Sequence, residues 1–238
     1  MTGNIAYEYG GVAEISSSGD VVISECTMTE NTASSSGGVA YIDTSGNVSI
    51  SECTMTRNTA AESSYGGVAY AGVGSPLTIT NSIIGDNSAT YGGVAYVYPG
   101  STLTIANSTI TDNSASLYGG VAYIYEGSTF IITNSAIRGN SASSYGGVAY
   151  IFAGSTLTIT NSTISDNSAA AGGAVAIQHG FMEVRSSTLS KNRALEGGGA
   201  IAVTGGSSLF LHEDRPWIQQ RWLRVCWVTD DGNRRKGK

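Results

Sequence analysis

Asp86 and Asp112 occupy the same place in two near-copies of one stretch, IGDN (84–87) and ITDN (110–113). Two carboxylates held in register raise each other's pKa, or bind a hard cation such as Ca²⁺. A carboxylate pair is also what hydrolysis of a glycosidic bond needs. In the other copies, however, the same place holds Glu30, Arg57, Gly139, Asp166 and Lys191. A position that accepts either sign of charge, or glycine, reads as a solvated turn. Arg57 and Arg138 are isolated among small residues, and His179 and His212 lack the short spacing of a metal pair. The body has no GxSxG elbow and no Cys–His pairing. No catalytic residue, metal ligand or cofactor is therefore expected.

The copies themselves are the strongest signal. A Gly-Gly pair begins at residues 10, 37, 66, 92, 119, 146, 172 and 197 or 198. An asparagine precedes each pair by a few residues: Asn4, Asn31, Asn58, Asn87, Asn113, Asn140, Asn167 and Asn192. The small variation in period falls in the Ser/Ala-rich stretch between asparagine and glycine, a variable turn. Within a unit such as STLTITNSTISDN (155–167), Leu157, Ile159 and Ile164 alternate with polar residues. Such alternation describes half-buried strands. Units this short leave no room for helical crossovers. The solution is a coil per unit, with equivalent strands stacked ~4.8 Å apart, seven to eight coils and roughly 35 Å in all.

Stacking at that distance gives the asparagines a role. Carboxamides in register donate N–H to the C=O of the next coil, so Asn31, Asn58, Asn87, Asn113, Asn140, Asn167 and Asn192 are expected to form a structural ladder. A second polar series, Glu25, Glu52, Asn81, Asn107, Asn134, Asn161 and Ser186, is expected to form another. Cys26 and Cys53 stand where other units have Ser82, Ser108, Ser135 and Ser162. A small cysteine in a serine stack is the favoured reading, and a disulfide between neighbouring coils the alternative. Sequons at Asn47, Asn107 and Asn161 fall in ladders or turns.

Counting from the second glycine as zero, positions +3 and +5 hold Glu14 and Ser16 in one unit and Tyr41 and Asp43 in the next. Charged residues there place +3 and +5 outside and +2 and +4 inside. Ala40, Ile42, Ala122, Ile124, Val175 and Ile177 then face in, with Leu103, Ile105, Ile110, Phe130, Ile132 and Ile137 later in the coil. The same parity puts rings outside: Tyr41, Tyr70, Tyr96, Tyr123 and Tyr150 at +3, and Tyr98, Tyr125 and Phe152 at +5, with Val94, Val121 and Val148 beside them. Tyr65, Tyr91, Tyr118 and Tyr145 directly precede the glycines. An exposed aromatic face marks an interaction surface, although stacked rings also support one another across strands. Tyr96, Tyr98, Tyr123, Tyr125, Tyr150 and Phe152 are the candidate ligand-binding residues. Thr-x-Thr steps (Thr78/Thr80, Thr156/Thr158/Thr160) suggest an ice-binding face, but Val22, Ile131 and Glu183 interrupt the rows.

The pieces GGVA (37–40, 66–69), GGAV (172–175) and GGGAI (197–201), with MTEN (28–31), MTRN (55–58), ITDN, IRGN (137–140), ISDN (164–167) and LSKN (189–192), resemble the paired GGA[ILV] and FxxN repeats of polymorphic outer membrane proteins of the chlamydial type. The first position of the second motif is Met, Ile or Leu here rather than Phe. The resemblance covers about residues 1–205. It implies an all-β fold, a right-handed parallel β-helix like the autotransporter passengers of the pectin-lyase-like superfamily. It also implies an extracellular or cell-surface location and adhesion. The alternative it brings is a pectin-lyase-like carbohydrate-active enzyme.

Composition bounds the rest. Charged residues are 13% and apolar residues 41%, which describes an ordered, turn-rich chain rather than a disordered one. Residues 1–211 carry 5 basic and 14 acidic side chains, and residues 212–238 carry 7 and 4. The acidic body has no basic stripe, so no nucleic acid partner is expected. No segment reaches the ~20 apolar residues of a membrane helix. The opening residues, MTGNIAYEYGG, show no secretion signal, and Asn4 closes a unit otherwise missing, as in a piece of a longer array. Residues 1–211 form the repeat domain. The tail 212–238 matches no coil and is either a cap, with Ile218, Trp222 and Val225 on one helical face, or a disordered extension. The expected function is non-enzymatic presentation of a rigid face to a polysaccharide or a surface protein.

Overall fold

The computed structural model describes residues 1–16, 19–43, 46–61 and 63–212. The tail readings above lie outside the described residues. Every regular element among the described residues is a short β-strand. One complete coil runs through Ala122–Ile124, Thr129–Thr133, Ala136–Arg138 and Ser141–Ala142. Equivalent strands pair in parallel, giving three sheets of eight strands and one of seven. The chain is a parallel β-helix of eight coils. The sheets are called here the tyrosine, long, short and serine sheets, in the order of those four strands. The last strand, Ser208–His212, runs one residue past the compositional boundary at 211.

Register is residue for residue. Tyr41, Tyr70, Tyr96, Tyr123 and Tyr150 are successive partners in the tyrosine sheet. In the long sheet Leu77, Leu103, Phe130, Leu157 and Met182 follow one another. Differences in coil length are absorbed mostly in the serine sheet, where the register shifts between Ala89 and Tyr91 and again between Ala169 and Ala171, and in the last coils also at the turn between the tyrosine and long sheets. The serine sheet is the segment where the period varies in the sequence.

One apolar cluster runs through the interior of the coils. It draws Ile42, Val97, Ile124 and Ile151 from the tyrosine sheet, Leu103, Phe130 and Leu157 from the long sheet, and Met28, Met55, Ile84, Ile110 and Ile137 from the short sheet. The +2 and +4 residues face in as expected. Val94, Val121 and Val148 do not lie beside the outer rings; they are fully buried in the interior. The reason is that these valines lie in the bend between the glycine pair and the start of the strand. The N–H groups of Val94 and Ala95 both donate to the Val121 carbonyl at 2.9 Å. The regular strand begins only at Ala95, so period-two alternation does not reach back to Val94, and the Val94 and Ala95 side chains are both buried in the interior.

The glycine pair closes the corner before that bend. Gly10, Gly37, Gly66, Gly92, Gly119, Gly146, Gly172 and Gly198 all have φ between 59° and 67°. A Cβ on Gly119 would overlap the Ala122 carbonyl. A Cβ on Gly120 would overlap the Gly147 carbonyl and the Ser141 backbone of the next coil. The interior is pinched there until backbones touch, which only glycine permits.

Polar ladders hold two other corners. Asn113 donates from Nδ2 to Asn140 Oδ1 at 3.0 Å, and its backbone N–H donates to the same oxygen at 2.9 Å. The pattern links Asn31, Asn58, Asn87, Asn113, Asn140, Asn167 and Asn192 without a break. At the corner between the long and short sheets, Cys26, Cys53, Ser82, Ser108, Ser135, Ser162 and Ser187 do the same with sulfur or hydroxyl oxygen as acceptor. Cys26 and Cys53 are free thiols in that row, with no disulfide between them. Burial raises the Cys53 thiol pKa. A third row, Ser75, Ser101, Ser128 and Ser155, follows the tyrosine sheet; sequence reasoning missed it.

The second expected series is not a ladder. Glu25, Glu52, Asn81, Asn107, Asn134, Asn161 and Ser186 have φ between 45° and 55° and point outward. They are the left-handed turn residues that swing the chain into the serine row. Polar side chains recur there because asparagine tolerates that conformation, and one weak bond, Asn134 to Asn107 at 3.3 Å, links neighbours. The Glu30, Arg57, Asp86, Asp112, Gly139, Asp166 and Lys191 series is the matching turn before the asparagine ladder, with φ between 55° and 69°.

Two mutational contrasts follow from this architecture. Asn113→Leu leaves several buried partners unpaired at about 1–3 kcal/mol each, so thermal melting should show destabilisation of about 3 kcal/mol or more. Gly120→Ala should leave little soluble protein, because backbone atoms have nowhere to move. Gly127→Ala, with φ of 66° and open space around it, should fold and lose only about 1–2 kcal/mol.

Candidate functional site

The tyrosines build a second apolar layer on the outside of the tyrosine sheet. Strand alternation sends the +3 and +5 residues out while +2 and +4 fill the interior. The rings form a cluster distinct from the interior core. Three columns lie side by side along the axis. The first is Tyr65, Tyr91, Tyr118 and Tyr145, the middle one Tyr41, Tyr70, Tyr96, Tyr123 and Tyr150, and the third Tyr98, Tyr125 and Phe152. Within the middle column Tyr70 and Tyr96 stack at 5.7 Å and 2°, and Tyr96 and Tyr123 at 5.0 Å and 4°. Tyr98 stacks on Tyr125 at 5.9 Å, and Tyr125 on Phe152 at 5.4 Å. Columns also touch sideways, Tyr65 to Tyr96 at 4.6 Å and Tyr123 to Tyr125 at 6.0 Å.

This arrangement corrects the expectation of a freely exposed +3 column. Tyr96, Tyr123 and Tyr150 are outside the coil, yet only 6%, 8% and 8% exposed. The flanking columns cover them. Tyr98 and Tyr145, at 37% and 41%, are the open rings, with Tyr125 and Phe152 half-buried. Of the six candidate binding residues, the structure therefore places three in the support and three at its surface. The array is bounded along the axis by Glu14 below Tyr41 and by Ala176 above Tyr150, whose phenol donates to Gln178.

An open groove of about 600 Å³ runs along the serine sheet, floored by Ala60, Ala89, Ala115 and Ala142 and walled by Thr59, Ser88, Ser114 and Ser141 among others. Its strands Ser88–Tyr91 and Ser114–Tyr118 end in the first ring column. The charged turns lie elsewhere. Arg57 pairs with Glu30 at 2.9 Å, and Asp86 and Asp112 are exposed turn residues. His212 lies 2.9 Å from Glu183, and His179 is an exposed residue with φ of 56°. Among the described residues no group of three or more His, Cys, Asp or Glu could hold a metal ion. The long sheet carries threonine outward in rows such as Thr102, Thr129 and Thr156, which end at Phe181.

The sequence matches the family described as a right handed beta helix region, over residues 1–137 and again over residues 51–215. The chain belongs to this right-handed β-helix family. Searches of curated proteins and of solved structures gave no match. For this β-helix protein the family thus supplies the handedness of the coil, and the site has to be read from its own geometry. No helix among the described residues is long and apolar enough to cross a membrane.

Burial dominates the electrostatics of the array. The Tyr41 phenol is pushed up to about 12, chiefly by burial and then by Asp43, and that of Tyr150 to about 12, again chiefly by burial. Burial also raises Tyr70, Tyr96 and Tyr123. These rings are neutral when folded, whereas an ordinary tyrosine ionises near pH ~10. The stability linked to them is complete below pH ~10 and is lost as pH rises through about 12. Alkaline titration should therefore show phenolate absorbance from the array rising together with loss of the β circular dichroism. Smooth ionisation of all tyrosines in a folded protein would contradict the buried column.

Proposed function

We propose that this β-helix is a non-enzymatic scaffold that holds its aromatic array as a rigid binding face, with a polysaccharide as the partner. The observation that carries this reading is the register of the rings. Three adjoining columns repeat at the strand spacing on the outer surface, and their outer members, Tyr98 and Tyr145 exposed and Tyr125 half-buried, are the rings a ligand can reach. A donor-acceptor hydroxyl beside an apolar ring suits a sugar, which offers both C–H faces and hydroxyls. A constant repeat along the axis suits a polymer with a constant repeat of its own. The array is already ordered by its buried middle column, so little conformational freedom is lost on binding. The resemblance to polymorphic outer membrane protein repeats points the same way, toward adhesion at an extracellular surface, with a surface protein as the other possible partner class.

A glycan array probed with the wild type and with Tyr98→Ala/Tyr125→Ala tests this reading. Those side chains belong to the outer column, so the variant should keep its fold. Each lost aromatic contact is worth ~0.5–1.5 kcal/mol, so affinity should fall roughly tenfold or more. Binding that survives the double substitution, or no glycan bound at all, would remove the proposal. Retained binding to a protein ligand, lost in the same variant, would move the face to the protein class.

A further inference from the structure

Tyr98 ends the third ring column. Tyr125 stacks on one of its faces at 5.9 Å, and Gly72 lies on the side of the other. The backbone fixes this register. The N–H groups of Asp43, Gly72, Tyr98 and Tyr125 each donate to the carbonyl one position earlier in the preceding coil, as Tyr98 does to Ala71 at 2.8 Å. Gly72 therefore stands where the next ring of the column would be. A Cβ there would meet the Ile42 carbonyl oxygen at 2.7 Å, so the fold itself holds the place empty. What results is a notch one coil high. Tyr98 bounds it on one side and Asp43 on the other, two strand spacings or ~9.6 Å apart along the axis. Tyr70 flanks it, half-buried, with its ring 6.0 Å from that of Tyr98 and tilted by 39°. Val73, 60% exposed, stands at its rim.

Two observations select this notch. The other column ends are filled: Phe152 is followed by Gln178, which accepts the Tyr150 phenol, and Tyr145 by the methyl of Ala171. The face is also acidic. Glu14, Asp43 and Glu126 are exposed on the tyrosine sheet or the turn that leaves it. Among the described residues every lysine and arginine (Arg57, Arg138, Arg185, Lys191 and Arg193) lies on another sheet or its turns. An anionic sugar meets repulsion here. A cationic one finds a carboxylate and an open aromatic face.

We propose, building on the polysaccharide reading above, that the notch is an amino-sugar subsite and that the partner is a polymer of unacetylated hexosamine. One sugar residue stacks on the open face of Tyr98 and sets its free ammonium group beside the Asp43 carboxylate. An aromatic face attracts an ammonium within about 6 Å of the ring centroid, a distance that spans the coil height left free at Gly72. The ammonium thus meets the Tyr98 ring and a carboxylate at once. An N-acetylated sugar keeps the stacking and loses the ionic contact.

The test is calorimetric titration of the full-length protein with two glucosamine oligomers of equal length, one fully deacetylated and one fully N-acetylated. It is run at low salt and at a pH where the free amines are protonated. The deacetylated oligomer should bind roughly five- to tenfold more tightly, and added salt should remove most of that advantage. Asp43→Asn should cut the advantage to about twofold or less at unchanged circular dichroism. Asp112→Asn, which removes the same charge from a turn on another face, should leave it intact. Equal or tighter binding of the N-acetylated oligomer, or the same loss in both variants, would overturn the amino-sugar subsite and leave the polysaccharide reading standing. Absence of binding by both oligomers would also overturn the subsite, and a blank glycan array would remove the binding face with it.

Discussion

A backbone N–H buried at a corner, beyond the end of one strand and before the next, is the constraint on which this molecule depends. Inside a sheet each N–H meets a carbonyl of the neighbouring coil. At the corner the chain turns through a left-handed residue, and the following N–H points along the axis with no carbonyl in reach. An unpaired buried N–H is costly. The chain meets the need with a side-chain oxygen from the next coil, as Asn87 N–H does with Asn113 Oδ1 at 3.0 Å. The same side chain that accepts also donates onward, so the corner becomes a continuous hydrogen-bonded column. Serine solves the shorter corner with one hydroxyl, accepting from the previous coil and donating to the carbonyl two residues back, as Ser108 does to Ala106 at 2.8 Å. Cys53 works in that row because its thiol makes both contacts, to Cys26 N–H at 3.4 Å and to Ser51 O at 3.1 Å.

Once the corners are held, everything else is forced into register. Like side chains stack at the strand spacing both inside and outside the coil. Inside, the result is a dry core of Ile, Leu, Val and Met. Outside the tyrosine sheet, it is a raft of rings whose middle column is as well covered as a core residue. The raft is therefore two things at once. Tyr96, Tyr123 and Tyr150 add burial to a fold whose coils are thin, and Tyr98, Tyr125 and Tyr145 are what a ligand would meet. Removing a middle ring tests stability, and removing an outer ring tests recognition.

Most of this architecture was legible in the residues. A period near 27 leaves only a coil, and Glu14 and Asp43 settled which parity faces water. The failures have local causes. Val94 lies in the bend after the glycine pair, before the strand starts at Ala95, so its inward direction could not be read from alternation. The Asn107 and Asn134 series looked like the asparagine ladder because both recur once per coil, yet one points in and the other is polar only because its φ is positive. The Ser75 row hid among many serines, and nothing in its spacing distinguished it. The cover over Tyr96 depended on how three columns stand side by side, which a one-dimensional pattern does not carry.

The dimensions of the ring columns bear on why tyrosine recurs here rather than a smaller apolar residue. Parallel strands lie ~4.8 Å apart, and aromatic rings prefer centroid separations of about 4.5–7 Å. A column of rings on a coil of this rise is therefore close to its own preferred spacing, as 4.8 Å for Tyr41 and Tyr70 and 5.0 Å for Tyr96 and Tyr123 attest. Rings that fit the rise stiffen the outer face, and the phenols of the exposed rings, Tyr98 and Tyr145, give it polar groups that alanine lacks. Alanine, which occupies the column at Ala176, would cover the sheet without either effect. The fold thus supplies the spacing that keeps the rings regular, and on the proposed reading that regularity is what a repeating ligand would meet.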